Sequence, residues 1–64
     1  MKIEEVKKNL NKMVGYGGKT GIYKLTACIL RKNEDGLFYQ AELFDTKCGN
    51  SLVICKLDDV EVIE

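Results

Sequence analysis

The chain has no histidine, no proline and no tryptophan, and none of its three cysteines falls in a CxxC pair. Without histidine there is no Ser–His or Cys–His nucleophile pair and no imidazole to hold a metal. A disulfide scaffold wants an even cysteine count at higher density, and structural zinc wants four ligands in paired spacing, so both are excluded. Cys28 and Cys55 sit in strand-like runs and read as small apolar residues; Cys48 reads as a loop residue. Free thiols in a chain that opens on charge alternating with isolated apolar positions, unlike a signal peptide, point to the cytoplasm. No apolar run approaches the ~20 residues of a membrane-spanning helix. The expectation is a cytoplasmic chain with no cofactor, no metal and no membrane partner, and not an enzyme.

What is present is a chain of 64 residues, 45% hydrophobic and 31% charged, the mixture of a globular domain and not of a disordered tail. So short a domain buries only about 60% of the surface its unfolded form exposes. The 10 basic and 10 acidic residues cancel overall but are unevenly placed. Residues 1–32 carry eight basic side chains against two acidic, a net +6, and residues 33–64 carry two against eight, a net −6. Such a split either forms two opposed faces or is interleaved by the fold.

Ile3, Val6, Leu10 and Met13 recur at helical spacing, with Lys and Glu on the opposite side, which predicts a helix over 2–13. Four glycines among residues 15–21 break that pattern after a short strand at Val14–Tyr16. From Ile22 to Lys32 the residues alternate, with Tyr23, Leu25, Ala27 and Ile29 on one face and Lys24, Thr26, Cys28, Leu30 and Lys32 on the other. Asn33–Gly36 is a hairpin signal, and Leu37–Asp45 returns with Leu37, Tyr39, Ala41 and Leu43 alternating against Phe38, Gln40, Glu42 and Phe44. A turn over Asp45–Asn50, a strand over Ser51–Lys56, a 3₁₀ step at Leu57–Asp59 and a strand over Val60–Ile63 complete the chain.

This order of elements, and the ending SLVICKLDDVEVI in particular, resembles a five-stranded SH3-like small barrel. The fold class implied is mainly β with one N-terminal helix: a single domain, 1–64, with the barrel over 14–64. Closure of such a barrel removes the unpaired edges that a flat sheet would leave. A three-stranded sheet with the helix packed across it is the competing arrangement. The chain also resembles short proteins carried by phages and prophages, which act by binding.

Three constellations bear on function. GGKT ends like a nucleotide-binding phosphate loop, but the first glycine of that motif would fall on Met13 and a strand follows where a helix is required. A milder reading keeps Tyr16, Lys19 and Thr20, with Arg31, as contacts for a small anionic, nucleotide-like ligand cradled by glycine N–H groups; the plain reading is a connecting loop. Asp58 and Asp59, with Glu61 and Glu64 near them, read more simply as a solvated turn than as a catalytic or metal-holding carboxylate pair. Finally, if Leu25 and its alternating partners face inward, Leu30, Phe38 and Phe44 face outward as an apolar interface, unless the helix covers them. The reading is a stoichiometric binding module, expected to be a homo-oligomer, that takes a host protein or a small anionic ligand. A nucleic-acid-binding regulator is the alternative. A sequence pI near 6.2 disfavours tracking of a long nucleic acid.

Overall fold

A computed structural model describes residues 1–49 and 51–63; Asn50, at the end of the expected Asp45–Asn50 turn, and Glu64 lie outside the described residues. In chain order the elements are α1 (Ile3–Asn9), β1 (Met13–Tyr16), β2 (Lys19–Asn33), β3 (Gly36–Asp45), β4 (Ser51–Lys56), a 3₁₀ turn (Leu57–Asp59) and β5 (Val60–Val62). The strands form one antiparallel sheet in the order β4-β3-β2-β1-β5. The chain is therefore mainly β with one N-terminal helix. The described α-helix is not long and apolar enough to cross a membrane.

The helix is shorter than the 2–13 expected. At its start the Glu5 N–H donates to the Lys2 carbonyl and the Lys2 N–H to the Glu5 carboxylate, each at 2.9 Å. It stops because asparagines bracket Leu10. The Asn9 side-chain amide donates to the Glu5 carbonyl at 2.7 Å, and Asn11 takes a left-handed φ of 64°. Such residues offer the backbone local alternatives to the helix. The Asn11 N–H then donates to the Leu25 carbonyl at 2.6 Å, and the Leu25 N–H to the Lys12 carbonyl at 3.0 Å, so residues 11–12 are tied to β2 just before β1 begins. Of the expected apolar stripe, Val6 is buried, Ile3 and Leu10 are exposed, and Met13 opens β1.

The glycine-rich stretch is mostly strand. Only Gly17 and Gly18 form the turn, both at positive φ (60° and 77°), which matches the twist of a two-residue hairpin. Lys19 then starts β2, so no helix follows GGKT.

The fifteen residues of β2 would span about 50 Å if straight. The molecule's longest dimension is 35 Å, so the strand must bend. It does so through irregularities in its pairing. Tyr16 pairs with Lys19 but Val14 with Tyr23, so β2 carries two extra residues there, around Gly21 at φ 75°. Leu25 pairs with Leu43 but Ala27 with Glu42, which leaves Thr26 as an extra residue. A bulge of this kind shifts the alternation by one and turns the following side chains over.

The curl of the sheet follows from its connections. In a flat five-stranded sheet the edge strands β4 and β5 would lie about 19 Å apart. The chain from Lys56 to Val60, four steps long, reaches about 14 Å at most. The sheet must coil until its two edges approach at that end, though β4 and β5 do not pair. Inside the coil lie Val14, Leu25, Leu43 and Val60, fully inaccessible, with Val6, Ala41, Cys55 and Leu57 around them. The Met1 nitrogen donates to the Leu57 carbonyl at 3.1 Å and to the Val60 carbonyl, fixing the residues before α1 to the 3₁₀ turn.

Candidate functional site

The four candidate anion contacts do not come together. Tyr16 and Lys19 pair across the Gly17–Gly18 turn, with Thr20 next to them. Lys19 and Thr20 are exposed. Tyr16 is half-buried, and its ring meets that of Tyr23 edge to face, with centroids 5.5 Å apart and planes at 83°. That ring is engaged in packing with Tyr23. Arg31 lies twelve residues farther along β2, about 40 Å of strand contour. There it faces Phe38 across the ladder, and its Nε donates to the Gln40 side-chain oxygen. The hairpin thus keeps one lysine and one hydroxyl of the four groups expected.

The apolar trio is also divided. The extra residue at Thr26 places Cys28 opposite Ala41 and Leu30 opposite Tyr39, so Leu30 lies on the core side of the sheet. Ala27 and Ile29, expected inward, lie instead on the outer side with Phe38 and Phe44. Cross-strand partners share a face, which makes the assignment unambiguous. Phe38 and Phe44 are half-buried, and the outer face continues onto β4 with Leu52 opposite Phe44 and Ile54 opposite Glu42.

A second apolar surface lies where β3 outruns the core. Leu37 and Tyr39 occupy the core side of β3, as the alternation predicts, yet they are 68% and 40% exposed, and Leu30 is 56% exposed. With the exposed Ile3, Leu37 and Tyr39 belong to the mouth of the coil. A groove of about 830 Å³ opens there between residues 1–4, the β2–β3 hairpin end and the 3₁₀ turn. Phe38 also borders it, and Lys2, Glu4, Lys56 and Asp58 stand on its rim. The volume lies within the roughly 300–1,000 Å³ of ligand pockets. Sequence reasoning treats Leu37 and Tyr39 as core. The signal against that is length: a seven-residue helix cannot cover a ten-residue strand.

Burial pushes the Cys28 thiol up, and burial followed by the Asp59 carboxylate pushes the Cys55 thiol up, so both are neutral thiols near pH 7. Cys48 is exposed on the β3–β4 connection. The Asp45 carboxyl is held below its ordinary range, first by the Lys47 N–H at 2.9 Å and also by the Cys48 N–H at 3.1 Å. It is the cap of a turn. Among the described residues no group of three or more Cys, Asp or Glu is placed to hold a metal ion.

The charge halves are interleaved. The basic β2 lies at the centre of the sheet order, with the acidic half's β3 and β4 on one side and its β5 beyond β1 on the other. Comparison of the chain with models of protein families, with curated proteins and with solved structures gives no match.

Proposed function

We propose that the chain is a non-catalytic, stoichiometric binding module on a small SH3-like barrel, and that it holds a partner protein in the groove at the mouth of the coil. The observation that carries this reading is the exposure of Leu37 and Tyr39, with Ile3, around a groove of about 830 Å³. Exposed apolar side chains in one concave place are the mark of an interaction surface. The rim decides the class of ligand. Lys2 and Lys56 are balanced by Glu4 and Asp58, which suits the mixed charge of a polypeptide and not a phosphate-rich ligand. The short 3₁₀ bridge between the two edge strands supports the barrel reading. In the phage or mobile-element setting that the sequence resembles, the partner is a host protein met in the cytoplasm.

The test is comparative capture from host cytosol. Wild type, Leu37→Asp with Tyr39→Ser, and Lys19→Ala with Arg31→Ala are immobilised at equal loading, and each is checked for native circular dichroism. The expected result is one polypeptide held stoichiometrically by wild type and by the Lys19/Arg31 variant, and lost from the Leu37/Tyr39 variant. Retention by the groove variant, or loss from the Lys19/Arg31 variant, overturns the reading.

A further inference from the structure

We infer that β4 is a self-pairing edge, and that two copies of the chain join antiparallel along it into one continuous sheet. The two edges of the sheet differ. β5 is three residues long with the exposed Glu61 at its centre, and short, charged edges resist pairing. β4 is six residues long and pairs with β3 over Gln40–Asp45 without a bulge, and among the described residues no strand pairs with its other side. From Ser51 to Cys55 it carries no charge and no proline, and the one charge on the strand, Lys56, stands at its end and not at its centre.

The side chains on this edge fit a second copy. Leu52 is 57% exposed and Ile54 is 47% exposed, both on the outer face beside Phe44. A two-fold axis at Val53 sets Val53 opposite Val53 of the second copy, and Leu52 opposite Ile54 of the second copy, twice over. Every outward residue then meets an outward residue, as an antiparallel ladder requires. Four exposed aliphatic side chains leave water in adjacent rows, and no like charges meet between Ser51 and Cys55. A shift by one residue would set Leu52 against an inward side chain, and an axis at Ile54 would set Leu52 against Lys56, so the axis at Val53 is the one that pairs Leu52 with Ile54 on both sides. The contact is an isologous one and closes at two copies.

A six-residue edge is about 20 Å long, so the buried area falls at the small end of specific interfaces. The dimer is therefore a reversible one. The edge shares Lys56 with the rim of the groove, but Leu52, Val53 and Ile54 do not line it, so the test does not depend on the partner.

Sedimentation equilibrium of the full chain from about 1 to about 500 µM should show the mean mass rising from 7.2 kDa toward twice that value. Leu52→Lys with Ile54→Lys, and Leu52→Glu with Ile54→Glu, should each stay folded, because these side chains are exposed. Each should self-associate about tenfold or more weakly, and an equimolar mixture of the two should recover the dimer. Leu30→Lys, equally exposed on the other face, should leave the dimer unchanged. A monomer throughout the range, an assembly larger than a dimer, or an assembly indifferent to the β4 charges would overturn the proposal.

Discussion

Leu25 and Leu43 face each other across the β2–β3 ladder and are both fully inaccessible. Truncation to alanine at either position is expected to cost about 2–5 kcal/mol. A domain of this length holds roughly 3–10 kcal/mol in all, so Leu25→Ala should lose a large share of its stability and unfold at a much lower urea midpoint than wild type. The thiols report the same core without mutation. Cys48 should react with a maleimide at once, while the buried Cys55 should react only as fast as the chain opens. Peptide mapping of a labelling time course separates the two. A raised thiol pKa means the folded state keeps its proton longer than the unfolded chain. The stability contributed by Cys28 and Cys55 is therefore intact below the ordinary thiol range and lost as pH rises through it. Asp45 has the opposite sign. Its lowered pKa contributes stability above the ordinary carboxylate range, lost as pH falls through it, and Asp45→Asn should flatten the acid limb of a thermal melt.

At the scale of elements, one residue separates what alternation reveals from what it hides. The strands over Ser51–Lys56 and Leu37–Asp45, the 3₁₀ step and the Asn33–Gly36 hairpin are all legible in the sequence, because turn residues bound clean alternation there. The second half of β2 is not. Nothing in Leu25-Thr26-Ala27-Cys28 announces an extra residue, yet that residue moves Leu30 to one face and Ile29 to the other. The need for a bend becomes visible only once the strand's length is set against the size of the molecule. Thr26 anchors the bulge through its hydroxyl, 2.9 Å from the Glu42 carboxylate and 3.1 Å from the Glu42 carbonyl. Thr26→Val should cost about 1 kcal/mol in a denaturant melt. Deletion of Thr26 should cost more, because it removes the bulge and the bend it gives β2, even though the later pairs with β3 keep their partners. At the tip of the first hairpin, a Cβ on Gly18 would meet open space, so Gly18→Ala tests backbone strain alone. It should cost about 1–2 kcal/mol, and Gly18→Asn less.

The whole molecule carries what no single element shows. The +6/−6 split is plain in the sequence, but its interleaving depends on β5 returning to β1, a pairing between residues more than forty apart. The candidate site was partly legible for the same reason. Tyr16, Lys19 and Thr20 are neighbours through a two-residue turn, whereas Arg31 is parted from them by the length of β2. Leu37 and Tyr39 become a surface because a short helix and a curled sheet leave the mouth of the coil uncovered. The groove and the β4 edge are then two separate apolar surfaces on one small domain. In the proposed readings one is offered to a partner and the other to a second copy. The most direct test of the partner claim is native mass spectrometry of the protein purified gently from its host, beside the Leu37→Asp, Tyr39→Ser variant. The expected result is chain mass plus one polypeptide per chain, and the bare chain or its dimer for the variant. An added mass of only a few hundred daltons, or a bare wild type, would contradict it.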